Sequence, residues 1–296
     1  MREPIFRGAA TALVTPFTPS GEVNYEKLGE LLEYQIAEGI DAVVILGTTG
    51  ESPTVPTDEH IEVIARSVQF VNGRIPVIAG AGSNSTAEAI DQTVRSEAVG
   101  ADAILSVAPY YNKSSQKGLV AHFSTIASKT TLPIILYNVP SRTGVNISPE
   151  ATAEMSHVEN IVAVKECNTE QMGVVKALAE PDFQLYTGED GQIIPMLAWG
   201  GIGSISVISN VVPRDVHDLV MSWLEGDFDR ARGLQARAFP LVKALFSEVN
   251  PIPVKAALNI LGWEVGLPRL PLIDASDATK DLLVRTLREY GVQPRG

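Results

Sequence analysis

A lysine that closes an apolar β run is the residue with the most chemistry to offer in this sequence. Lys165 follows Ile161-Val162-Ala163-Val164, and of nine lysines it alone holds such a position; the other eight fall in helical or loop patterns. An amine at the end of a buried strand loses hydration, which favours its neutral, nucleophilic form and lets it attack a carbonyl carbon to give a Schiff base. Tyr137 closes the preceding apolar run and can carry the proton transfers that a carbinolamine and an imine require. Thr48 and Thr49, set between Gly47 and Gly50, offer hydroxyls and backbone N–H groups to a carboxylate, and Arg142 on the loop after Tyr137 can fork a second one. Each residue also has a plainer reading. The lysine pairs with Glu166 or snorkels to solvent, the tyrosine packs, Gly-Thr-Thr-Gly is an ordinary turn, and the arginine is a solvated loop residue.

Such groups act together only if the fold brings their strand ends to one mouth. Short β-branched runs occur at 8–14, 42–46, 76–79, 103–107, 133–137, 161–165, 183–186 and 202–207, and helical stripes lie between them. In the segment 25–38, Leu28, Leu31, Leu32 and Ile36 recur at the spacing of one helix face. Ser85 with Glu88 predicts a capping box, and Ser148-Pro149 predicts an N-cap followed by proline in the first turn. The strand runs do not alternate with polar residues, as expected for parallel strands covered on both faces. Eight βα units predict an α/β fold, a (β/α)8 TIM barrel over residues 1–227. Helical patterns at 229–247, 253–261 and 276–290 predict a helical C-terminal extension over 228–296. In such a barrel the C-terminal strand ends carry the chemistry, and here they are Gly47-Thr48-Thr49-Gly50-Glu51, Pro109-Tyr110-Tyr111-Asn112, Tyr137-Asn138 and Lys165-Glu166.

Composition narrows the field. The chain has 296 residues, 45% of them hydrophobic and 20% charged, with a mean hydropathy of +0.11, the profile of a packed globular protein. A net charge of −12 removes the electrostatic basis for binding nucleic acid or an anionic membrane surface. Cys167 is the single cysteine, which points to a reducing, cytoplasmic setting, and the N-terminal Met1-Arg2-Glu3-Pro4 carries no signal-peptide core. Gly80-Ala81-Gly82 lacks the third glycine of a dinucleotide fingerprint, and isolated histidines leave a metal-dependent aldol mechanism without ligands; no cofactor or metal is expected. Gly188-Glu189-Asp190-Gly191 and Gly200-Gly201-Ile202-Gly203 have the look of phosphate loops, a reading that the two acids weaken.

Taken together, Gly47-Thr48-Thr49-Gly50-Glu51-Ser52, Pro109-Tyr110-Tyr111-Asn112-Lys113, Tyr137-Asn138-Val139-Pro140-Ser141-Arg142-Thr143-Gly144, Lys165-Glu166 and Asn250-Pro251-Ile252-Pro253-Val254-Lys255 form a recognisable series. Across nearly its whole length the chain resembles the dihydrodipicolinate synthase family, within the pyruvate-dependent class I aldolases. The resemblance implies that Lys165 forms a Schiff base with pyruvate. The derived enamine then attacks L-aspartate 4-semialdehyde, and cyclisation gives 4-hydroxy-tetrahydrodipicolinate, a precursor of diaminopimelate and lysine. It implies Tyr137 as the acid/base group, with Thr48 relaying protons between it and Tyr111. The tyrosine matching Tyr111 comes from a neighbouring subunit in this family, so a homodimer, usually paired into a homotetramer, is implied. By the same resemblance Thr49 holds the pyruvate carboxylate, Arg142 positions the semialdehyde carboxylate, and Gly188 and the Ile205 carbonyl fill lesser positions.

Ser52, His60, Asn84, Glu88 and Tyr110 match positions that bind lysine in inhibitable members, although Thr57 stands where some of those members have histidine. Two further departures bear on the site: Cys167-Asn168-Thr169 replaces a small residue, Ser or Thr, and Gly, and Ser114 replaces proline. The first keeps open an alternative, a related pyruvate-dependent aldolase acting on another aldehyde. Sialic acid lyases and keto-deoxy-sugar aldolases share the lysine, tyrosine and Gly-Thr-Thr-Gly turn but lack an arginine like Arg142.

Overall fold

The computed structural model describes residues 2–295; Met1 and Gly296, the outer ends of the two expected segments, lie outside the described residues. Eight parallel strands close on themselves: β1 (Gly8–Ala12), β2 (Ala42–Ile45), β3 (Val77–Gly80), β4 (Ala103–Val107), β5 (Ile134–Asn138), β6 (Ile161–Glu166), β7 (Gln184–Thr187) and β8 (Gly203–Ser206). β1 and β8 pair in parallel to complete the barrel. Helices separate the strands, so the barrel expected from the βα period is the one observed. Observed strand ends lie within two residues of the ends of the apolar runs. Leu13 and Val14, for example, continue the buried run of β1 but lie beyond its ladder.

The strands are apolar on both sides because the two sides face different cores. Ala42 and Val44 of β2 and Ile135 and Tyr137 of β5 belong to a cluster inside the barrel, whereas Val43, Ile45, Ile134 and Leu136 pack outward under the helices. The period of two would continue unbroken along β6 but for one irregularity. Ile134 pairs with Ile161 and Ile135 with Ala163, so Val162 is an extra residue in the ladder. Its insertion shifts everything after it by one place, which puts Lys165 opposite the inward-facing Tyr137 rather than opposite Asn138.

Helix starts follow local chemistry. Asn24, Ser115, Ser148 and Ser276 each accept a hydrogen bond from the backbone N–H three residues on, and Pro149 occupies the first turn after Ser148. The expected Ser85–Glu88 capping box is corrected. Ser85 Oγ does accept from Glu88 N (3.4 Å), but the Glu88 carboxylate accepts from Ser83 Oγ (2.7 Å), and Ser85 N donates to that same hydroxyl (3.1 Å). Ser83 thus stands between the two groups that a capping box would join directly.

The C-terminal helices Phe228–Leu245, Ile252–Ile260 and Asp277–Tyr290 share the outer core rather than enclosing one of their own. Leu241, Leu245, Val254, Leu258, Leu283 and Leu287 lie in one cluster with Val216 and Leu219 of the helix Pro213–Leu224. Among the described residues no helix is long and apolar enough to cross a membrane.

Candidate active site

Lys165 is 5% exposed, and no hydrogen bond or ion pair joins its Nζ to another described residue. The amine lies 4.3 Å from the centre of the Tyr137 ring. Burial lowers its pKa from the ordinary lysine value, with nearby acidic groups opposing the shift in part. Pairing with Glu166, the plainer reading of this lysine, is not what forms. Glu166 points to the opposite side of the strand, where its carboxylate accepts from Asn138 Nδ2 (2.8 Å), Gln171 Nε2 (2.8 Å) and Asn168 N (2.7 Å). Burial pushes the Glu166 carboxyl up to about 7.

The phenol of Tyr137 is buried, which raises its pKa, and the neighbouring Thr48 hydroxyl opposes that shift. A cavity of about 240 Å³ takes in Thr48, Tyr137 and Arg142 together with Ser52 and Tyr110. Three of the expected catalytic and substrate positions therefore share a hollow with two of the five lysine-binding ones, and Lys165 borders it through Tyr137. Thr49 is buried beside it, accepting from Asn250 Nδ2 (2.9 Å), and Arg142 Nη2 donates to the Asn250 carbonyl (3.4 Å).

The turn that presents Thr48 and Thr49 is tight enough to explain its glycines. Leu46 (φ 55°) and Glu51 (φ 61°) both adopt left-handed backbone, and a Cβ on Gly50 would lie 2.8 Å from Leu46 Cα. Gly188 is constrained in another way: a Cβ there would meet Cys167 Sγ at 2.4 Å and Lys165 Cε at 2.7 Å. The absent side chain is what leaves room for the lysine. Ile205 is fully buried inside the barrel on β8, in register with Ala10.

Tyr111 is the expected residue that its own chain does not bring to the site. It is 89% exposed with φ 72°, a bulky aromatic held in left-handed backbone and in water. Among the other lysine positions, Asn84 Nδ2 donates to the Tyr110 carbonyl (3.1 Å), and Glu88 is tied to Ser83. His60 is fully buried, its Nε2 2.8 Å from the Gly80 carbonyl, and burial holds it down to about 4.

The two departures after Lys165 part company in space. Asn168 turns away into an amide network, its Nδ2 donating to Asn146 Oδ1 (3.2 Å) and Gln171 Oε1 (3.2 Å). Cys167 lies against Lys165 and Gly188; burial raises its thiol pKa, so the sulfur is a neutral wall rather than a nucleophile.

Three features lie in motifs quoted above, but nothing in the sequence pattern gave these residues a role. Lys255 Nζ donates to Glu51 Oε1 (2.8 Å), Thr15 O (3.0 Å) and Leu267 O (3.1 Å), a buried pair that anchors the Thr48-Thr49 turn. Asn250 is the second such anchor. Asp190 is the third: its Oδ2 accepts from Val207 N and Ile208 N, both at 3.0 Å. Those are the amides a phosphate would need beside the glycine loops, and the chain's own carboxylate occupies them.

Comparison with known proteins agrees with this geometry. Residues 5–290 match the Dihydrodipicolinate synthetase family. The 4-hydroxy-tetrahydrodipicolinate synthase of Acetivibrio thermocellus is 52% identical over 292 residues, covering 99% of this chain and 100% of the relative. The crystal structure of dihydrodipicolinate synthase from Aquifex aeolicus superposes with a TM-score of 0.96 at 44% identity, covering 98% of this chain and 100% of that one. A chloride-inhibited dihydrodipicolinate synthase from Acinetobacter baumannii, complexed with pyruvate, gives a TM-score of 0.94 at 36% identity over 97% of this chain and 99% of that one. The chain belongs to the dihydrodipicolinate synthetase family.

Proposed function

We propose that the chain is a 4-hydroxy-tetrahydrodipicolinate synthase, a lyase joining pyruvate to L-aspartate 4-semialdehyde in diaminopimelate and lysine biosynthesis. The observation that carries this reading is the buried, unpaired Lys165 beside the Tyr137–Thr48 hydroxyl pair, with Arg142 in the same cavity. Lys165 Nζ attacks C2 of pyruvate and water leaves, giving the imine. Loss of a C3 proton gives the enamine, whose C3 attacks the aldehyde carbon of the semialdehyde. The semialdehyde's own amine then displaces Lys165 from C2 and closes the ring. Tyr137 and Thr48 move the protons, Thr49 holds the pyruvate carboxylate and Arg142 the second carboxylate, which supplies orientation as well as charge. The 52% identity to a 4-hydroxy-tetrahydrodipicolinate synthase and the presence of Arg142 favour the semialdehyde over a sugar-derived aldehyde.

Tyr111, exposed and held in an unfavourable backbone region, is suited to reach the proton relay of a neighbouring subunit, so the working unit is a homodimer or a pair of them. Ser52, His60, Asn84, Glu88 and Tyr110 are the positions through which lysine would inhibit, weakly because Thr57 replaces a histidine. Calorimetry detecting no lysine binding at millimolar concentration removes that part of the reading.

The test is a coupled assay with both substrates, following product through the next reductase. Robust turnover is the expected result. Absence of turnover while borohydride still traps pyruvate on Lys165 would keep the aldolase chemistry and reject the semialdehyde; absence of trapping would reject both.

A further inference from the structure

The side chain of Asn250 touches neither Lys165 nor Tyr137, yet it stands between the two groups assigned to the substrate carboxylates. It is 5% exposed and lies just before the helix Ile252–Ile260, outside the barrel. Its Nδ2 donates to Thr49 Oγ1 at 2.9 Å, and its backbone carbonyl accepts from Arg142 Nη2 at 3.4 Å. Its Oδ1 is buried with no partner. An apolar side chain of the same shape would avoid leaving that acceptor unpaired, so the amide is retained for what its nitrogen does.

What the nitrogen does follows from counting donors. A threonine hydroxyl has one hydrogen to give. Because Thr49 Oγ1 accepts from Asn250, that hydrogen is not used on Asn250, and no other described residue accepts it. Turning the Asn250 amide over would let its oxygen capture the hydrogen, but would leave both N–H donors unpaired in place of one N–H and the oxygen; the orientation observed is the one that donates to Thr49.

We propose that Asn250 is a positioning residue that sets the polarity of Thr49: by donating to Oγ1 it keeps the hydroxyl hydrogen available for the carboxylate of pyruvate. The inference rests on the reading of Thr49 as the pyruvate carboxylate residue. It assigns to the C-terminal extension a share in substrate binding that the barrel alone does not supply.

The experiment measures half-saturation by pyruvate in borohydride trapping, for the unaltered protein, Asn250→Asp, Thr49→Val and the double variant, each checked for folding by thermal melting. Asp has the shape of Asn but only accepts, so it captures the Thr49 hydrogen. Asn250→Asp is expected to raise half-saturation by about 10- to 100-fold, the loss of one hydrogen bond to a charged group. In the Thr49→Val background the same change is expected to alter it by less than about twofold, because the hydroxyl through which Asn250 acts is gone. An unchanged half-saturation in Asn250→Asp, or an undiminished effect in the Thr49→Val background, overturns the proposal; the second result would mean that the added charge acts directly. Should Asn250→Asp not fold, Asn250→Ala is read instead, with an expected rise of about threefold that vanishes with Thr49→Val. Persistence of that rise, or its absence from both backgrounds, overturns the proposal equally. Failure of the unaltered protein to trap pyruvate would instead reject the Schiff-base reading beneath it.

Discussion

Two lysines are buried in this protein to nearly the same degree, Lys165 at 5% exposure and Lys255 at 1%. Burial lowers the pKa of both, Lys255 to about 8. They differ in company. Lys255 Nζ has a carboxylate, two carbonyls and the Phe17 ring around it, all of which favour the ammonium. Lys165 Nζ has the Tyr137 ring and no hydrogen-bond partner from the described residues. Desolvation alone therefore does not make a nucleophile. It does so where no fixed acceptor surrounds the nitrogen, and where the same desolvation is compensated by an ion pair, the lysine becomes a tie between segments.

Lys165→Met is the sharpest way to test the contrast. It is expected to abolish turnover and borohydride trapping while the melting temperature holds or rises by a few degrees, since an uncompensated buried amine is exchanged for an apolar chain. A large loss of stability would show that Lys165 has a structural partner after all. Lys255→Met should do the reverse. It strands Glu51 in the interior and is expected to cost about 3–5 kcal/mol in denaturant unfolding, with Lys165 still trapping pyruvate in whatever protein is folded. Adding Glu51→Leu should recover most of that loss; failure to recover would locate the cost in packing rather than in the stranded charge. Gly188→Ala perturbs only the unpaired lysine. The new Cβ must displace Lys165 or Cys167, and a shift of about 1 Å is expected to lower kcat/KM about 100-fold with little change in unfolding. Cys167→Ala in the same chain should return part of the activity by giving the Cβ somewhere to go.

The barrel was legible because its evidence is repeated in every βα unit, and each strand run lay within two residues of its observed place. Lys165, Tyr137 and Thr48 were legible because strand ends at one rim of a barrel must converge. The direction of Lys165 was a different matter, since β6 carries an extra residue that no run of β-branched side chains discloses. Lys255 follows the apolar Ile252-Pro253-Val254, where periodicity cannot tell a buried, paired amine from a solvated one. Asn168 and Cys167 are neighbours that face opposite ways, which only the path of the chain beyond the strand decides. The capping box failed for a similar reason: the spacing of Ser85 and Glu88 was right, and Ser83 intervened from two residues upstream.

The bulge at Val162 makes the identity of the nucleophile a matter of register. Were Val162 taken into the ladder instead, Lys165 would fall opposite Asn138, with the acid at the heart of the barrel and the amine among the helices. Drift in this lineage can exchange side chains along β6 freely by comparison with adding one, so insertions should be purged from this strand while the connecting loops accumulate them.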